Sequence, residues 1–138
     1  MTPQPHMPSP KARKSGAVVL CSDRGWALQS AFALQRAIDA DVSGALDYYF
    51  CCDFDLAASE FAPAFDARVQ IINVGTAFAD LNFTAINHVP KHTFLRFFAL
   101  DHLAALYGRV CYLDGDIFLN WGSWADLFTL PETPFAVS

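Results

Sequence analysis

Charge is scarce in this chain of 138 residues: Asp, Glu, Lys and Arg make up 17% of it, against 54% hydrophobic residues. So low a charged fraction excludes disorder as a description of the whole chain. Basic charge is scarcer still, and it is unevenly placed. Lys11, Arg13 and Lys14 precede Ser15; from there on 6 basic residues stand against 14 acidic ones, a formal balance of −8. A body of that sign is a poor match for a phosphate backbone, so nucleic acid is not expected as the main partner. No uninterrupted apolar run approaches the roughly 20 residues of a membrane span. The Pro-rich start (Pro3, Pro5, Pro8, Pro10) is followed by no apolar stretch of signal-peptide length. Residues 1–15 read as a solvated, basic tail, and residues 16–138 as one domain. Glycine-rich phosphate loops are missing too: there is neither G-x-G-x-x-G nor G-x-x-x-x-G-K-[ST], which argues against a dinucleotide cofactor and a P-loop NTPase. Cysteine is sparse, with Cys21, Cys51, Cys52 and Cys111 all inside strand-like apolar runs. Cys51 and Cys52 are adjacent, so on a strand they face opposite ways, and no spacing suits zinc. These are expected to be buried, reduced thiols in a cytoplasmic protein.

Aromatic residues, by contrast, are plentiful: 13 Phe, 4 Tyr and 3 Trp supply a sizeable core. The short continuous apolar run Gly16–Cys21 predicts a strand covered on both faces, and Leu46–Cys52, Arg68–Asn73 and Arg109–Leu113 read as three further strands. Helical spacing predicts a helix from Trp26 to Ile38. A short helix is expected around Leu56–Phe61. A further helix from Phe94 to Tyr107 reads as apolar on nearly all sides and hence buried, with Gly108 as a left-handed cap. Trp124–Phe128 reads as another short helix behind Ser123. The alternation predicts an α/β fold with a mostly parallel sheet. Such sheets bind ligands beyond the carboxyl ends of their strands, which singles out the loops Ser22–Gly25 and Asp114–Asp116.

An Asp-x-Asp pattern occurs three times, at Asp39/Asp41, Asp53/Asp55 and Asp114/Asp116, and with 12 Asp one such pair is expected by chance. The first reads as a solvated turn at a helix end. The third is flanked tightly by Val-Cys-Tyr-Leu and Ile-Phe-Leu. Two carboxylates between buried runs repel each other and are costly to desolvate unless a cation joins them. Oxygen ligands at that spacing suit Mg²⁺ or Mn²⁺, and Gly115 between them lets a ligand approach the backbone. A plain acidic turn is the other reading. Asp23 is either a helix cap or a carboxylate that reads a base or ribose. Trp26 either stacks on that base or plugs the seam between sheet and helix. Arg96, the lone cation within an apolar helix, either pairs with Asp114, Asp116 or a phosphate, or lies on a solvent-facing strip with Lys91 and His92.

Taken in order, four segments resemble glycosyltransferase family 8. Val18-Val-Leu-Cys-Ser-Asp23 with Trp26 resembles the family's opening segment, and Thr93-Phe-Leu-Arg-Phe97 its t-Y-x-R-h segment. Arg109-Val-Cys-Tyr-Leu-Asp-Gly-Asp-Ile-Phe-Leu119 resembles its Y-L-D-x-D segment, and Trp124-Ala-Asp-Leu-Phe128 the helix that follows. The resemblance implies a Rossmann-like GT-A fold that holds a nucleotide-sugar donor, a UDP-sugar in most members, with a divalent metal, usually Mn²⁺. It implies Asp114 and Asp116 as metal ligands, Asp23 on the base and Trp26 stacked against it. It implies Arg96 near the diphosphate and His88 on the donor, with Ser22 and Gly115 completing the donor site. The family's catalytic domain is longer than this chain, and its later elements bring a third metal ligand and the acceptor pocket. What the resemblance covers is therefore the donor-binding half of a retaining hexosyltransferase-like enzyme, inactive alone and prone to self-association through a sheet edge. No residue stands out as a nucleophile. Two rivals are a haloacid-dehalogenase-like metal-dependent phosphatase, whose Asp-x-Asp also ends a strand, and a non-catalytic nucleotide-sugar-binding module.

Overall fold

The computed structural model of the protein describes residues 14–75 and 91–114, the side chains of residues 91–94 excepted. Four strands form one all-parallel sheet: β1 (Gly16–Cys21), β2 (Leu46–Cys52), β3 (Val69–Asn73) and β4 (Arg109–Leu113), in the order β3-β2-β1-β4. Helix α1 (Ala27–Ala40) joins β1 to β2, and α2 (Lys91–Ala104) precedes β4. The α/β expectation holds, and the mostly parallel sheet is wholly parallel among the described strands. β1 is central and buried throughout, as its unbroken run Gly-Ala-Val-Val-Leu-Cys requires.

The period of two along the strands divides the core into two layers. Val18, Leu20, Leu46, Tyr48, Phe50 and Cys52 face one way and pack against Ala33, Leu34, Ala37 and Ile38 of α1. Ala17, Val19, Cys21, Tyr49, Cys51 and Ile72 face the other way, toward Leu95, Ala99 and Leu103 of α2. Cys51 and Cys52 thus lie in different layers, as their adjacency requires, and all four cysteines are free. The chain moves outward from β1 to β2 over one face, then returns past β1 to β4 over the other. Crossovers of one hand, run in opposite directions, produce this arrangement.

Several local expectations need correction. The region Leu56–Phe61 is a series of turns, followed by a 3₁₀ turn at Ala62–Ala64. Side chains compete with the backbone there: Asp55 accepts from the Ala58 N–H at 3.3 Å, and the Ser59 hydroxyl donates to the Leu56 carbonyl at 2.7 Å. α2 ends at Ala104 and not at Tyr107, and Gly108 is not in the left-handed region. Past Ala104 the Leu106 and Tyr107 N–H groups both turn back to the Leu103 carbonyl at 2.9 Å. This drops the Tyr107 phenol beneath the sheet, where it donates to Asp47 at 2.7 Å and sits 2.6 Å from the Tyr49 hydroxyl. Nor is α2 buried on all sides, since Phe97 is 60% exposed. The stripe Leu95, Ala99, Leu103 is what it buries. Asp41, read as solvated, is buried at the turn into β2, beside Gly44 at a φ of 65°. Lys14, assigned to the tail, already reaches the domain: its N–H donates to Asp47 and its Nζ to the Gly44 carbonyl at 2.7 Å. Among the described residues no helix is long and apolar enough to cross a membrane.

Burial raises the thiol of Cys52 to about 12, and it also raises the phenols of Tyr48 and Tyr107. In the unfolded chain these groups lose protons near 9 for cysteine and 10 for tyrosine, while the folded chain keeps them. The folded state therefore binds more protons across that window, and its stability falls as pH rises. Cys52 alone is expected to remove about 2 kcal/mol between pH 8 and pH 10.5. Urea denaturation at pH 7.5, 9 and 10.5 checks this. A midpoint that stays constant or rises contradicts the burial of these groups.

Candidate functional site

The sheet order places a topological switch point between β1 and β4: from β1 the chain turns one way to β2, and β4 arrives on the other side. Loops leaving the carboxyl ends of two such strands diverge and leave a crevice. Leu20 pairs with Leu113 in the parallel register, so Asp114 emerges alongside Cys21, the last residue of β1, with Ser22 and Asp23 following it. The Ser22–Gly25 loop and Asp114, the first residue of the second loop, therefore lie at the same end of neighbouring strands.

After β1 the chain makes a 3₁₀ turn at Arg24–Trp26 before α1 starts at Ala27, one residue later than expected. Asp23 stands at the position of a cap but makes no side-chain cap hydrogen bond. Its carboxylate is exposed, and a Cβ on Gly25 would come within 3.3 Å of Asp23 Oδ1, so glycine there leaves the carboxylate room. The helix-cap reading of Asp23 fails on this geometry. Trp26 is 55% exposed, so its ring does not plug the seam between sheet and helix. Ser22 is buried; its hydroxyl donates to the Asp23 carbonyl at 3.0 Å. Ser30 Oγ on α1 lies 3.0 Å from Ser22 Oγ and 2.8 Å from the Trp26 carbonyl, its one proton serving either. Sequence reasoning missed Ser30; a buried serine one turn into the helix after a strand-exit loop is the available signal. Arg24 anchors the loop from outside through an ion pair with Glu60 and a cation–π contact 5.2 Å from the Phe61 ring. The Asp53/Asp55 pair follows β2, where Asp55 serves a turn.

At the same end of the sheet, Arg96 projects from α2 to the end of β4. Its guanidinium lies 4.4 Å from the Tyr112 ring centroid, and Nη2 is 3.4 Å from Asp114 Oδ1. Arg96 is thus paired with Asp114 and does not lie on a solvent strip. Its side chain is 35% exposed, yet Nε is buried without a hydrogen-bond partner. A fork of donors so incompletely satisfied suits anionic oxygens. Tyr112 is the second residue that sequence reasoning missed; it lies two before Asp114, on the same face of β4. Burial raises its phenol, with Arg96 acting against that shift.

The Asp114 side chain is 54% exposed, and its contact with Arg96 is single and long. It is a hard oxygen donor of the kind that Mn²⁺ and Mg²⁺ take, open enough for an ion that keeps several waters. Among the described residues no three His, Cys, Asp or Glu side chains converge as a metal cluster. Of the two carboxylates expected at a metal, Asp114 is the one among the described residues, and its exposed oxygens are free to take part in holding a cation. His88, Gly115 and Asp116, as well as the expected helix Trp124–Phe128, lie outside the described residues. The structure thus brings Asp23, Trp26, Arg96 and Asp114 to one end of the sheet, about the switch point. The chain matches no family model, no curated protein and no solved structure.

Proposed function

We propose that this domain binds a nucleotide-sugar donor, a UDP-sugar with Mn²⁺ or Mg²⁺, as the donor half of a retaining glycosyltransferase similar to family 8. One observation carries the reading: an exposed, uncapped Asp23 and an exposed Trp26 follow β1 at the same end of the sheet where the neighbouring β4 ends in the Arg96–Asp114 pair. Asp23 accepts hydrogen bonds from the base, and Trp26 offers it a ring to stack on. Arg96 holds the diphosphate through its planar fork of donors. Asp114 and Asp116 would hold the cation, and a divalent ion bound there would supply Lewis-acid stabilisation of a leaving diphosphate. The acceptor would come to this same end of the sheet, and it is a sugar or glycoconjugate.

The base-reading role is tested at Asp23. Asp23→Ala is expected to weaken UDP-sugar binding by about 1–3 kcal/mol, the cost of leaving a polar partner unpaired. The melting temperature of the ligand-free protein is expected to stay within a degree or two, because the carboxylate caps nothing. Equilibrium dialysis and thermal melting measure the two. A large loss of stability with unchanged binding would return Asp23 to a structural role. Turnover of a phosphate monoester in place of nucleotide-sugar binding would favour the phosphatase reading.

A further inference from the structure

Arg96 and Asp114 are assigned above to different parts of a bound ligand, yet they also hold each other. The guanidinium is permanently charged. It touches two groups from one face of β4: the Tyr112 ring at 4.4 Å and Asp114 Oδ1 at 3.4 Å. A divalent cation on Asp114 would sit beside that positive charge. The two cannot share one carboxylate without repulsion.

We propose that Arg96 is a built-in competitor for the cation: it occupies Asp114 in the free protein and yields that carboxylate when a divalent ion binds. The proposal rests on Asp114 being a metal ligand. Three features make the exchange easy. The contact is single and not bidentate, and both side chains are partly exposed, so the pair is weak. Nε makes no hydrogen bond, so one donor of the fork is left out of the contact with Asp114. The Tyr112 ring gives it a second foothold, so that on leaving Asp114 it pivots and does not withdraw to solvent. The N–H groups released then face the anionic oxygens of a diphosphate. Cation and anion thus assist each other: the ion frees Arg96 for the anion, and the anion draws Arg96 off the ion's ligand. Such coupling is reciprocal by thermodynamic necessity.

The test uses Mn²⁺ alone, titrated calorimetrically into the full chain at low salt, for wild type, Arg96→Met and Asp114→Asn. Methionine keeps a flexible apolar stem against the Tyr112 ring. Arg96→Met is expected to bind Mn²⁺ about three- to tenfold more tightly than wild type, and Asp114→Asn to lose binding. Equal or weaker binding by Arg96→Met, with binding still lost in Asp114→Asn, overturns the competitor role and leaves the metal-ligand reading of Asp114 standing. Binding by none of the three overturns both. A second measurement needs no variant: Mg²⁺ added to wild type is expected to shift the ring-current-displaced side-chain N–H resonances of Arg96. Mg²⁺ binding without such a shift also overturns the competitor role.

Discussion

Asp41→Ala is expected to lower the free energy of unfolding by about 3–4 kcal/mol, since several donors lose a buried acceptor at once. Asp41 is 5% exposed. One carboxylate oxygen accepts from the Ala45 N–H at 3.1 Å, the other from the Leu46 N–H at 3.1 Å and the Tyr48 hydroxyl at 3.0 Å. The Leu46 and Tyr48 donors are buried; without the carboxylate the Tyr48 hydroxyl keeps only its longer contact with the Ala37 carbonyl at 3.3 Å, and the Ala45 and Leu46 N–H groups lose their acceptor. Asn at the same position keeps one acceptor oxygen and is expected to recover about half of the loss. Because Asp41 lies where β2 begins, at the end of the sheet away from Asp114, ligand binding per folded molecule is expected to be unchanged. Urea denaturation with a parallel binding titration measures both. A stability change below about 1 kcal/mol would contradict the network of bonds to this carboxylate.

Asp114→Asn is expected to act in the opposite way, abolishing cation-dependent binding and sparing the fold. Removing the negative charge leaves an oxygen site short of what a hard divalent ion requires. The expected loss in Mn²⁺-dependent affinity for a UDP-sugar is at least about a hundredfold, or roughly 3 kcal/mol. Stability is expected to change by less than about 1 kcal/mol, because the ion pair with Arg96 is partly exposed and such pairs are worth little. Calorimetry and denaturation on one preparation separate the two effects. Retained binding would remove Asp114 from the site. A large fall in stability would make the pair with Arg96 structural.

The two inner strands, Gly16–Cys21 and Leu46–Cys52, were legible in the sequence because they are buried along nearly their whole length, and buried parallel strands write themselves as unbroken apolar runs; the edge strands β3 and β4 are only partly buried. Helix ends and turns were less legible. Tyr107 leaves the helical path for partners 58 and 60 residues away, Tyr49 and Asp47, and no local pattern reports such pull. Asp41 looked like any acidic residue before Ser-Gly; its burial comes from the return of β2 beneath it. The two candidate loops were singled out by a rule about strand ends, which needs only the order of elements. The Arg96–Asp114 contact was one of several partners open to a lone cation in an apolar helix. Which one holds depended on α2 lying over β4, and that is a tertiary fact.

The most direct test of the central claim is a calorimetric titration of the wild-type chain with a UDP-sugar, first with Mn²⁺ and then after EDTA. The account predicts saturable one-to-one binding with Mn²⁺, competed by uridine diphosphate and lost on chelation. Binding that survives EDTA unchanged would contradict the cation's role at Asp114. The absence of binding under both conditions would contradict the nucleotide-sugar site itself.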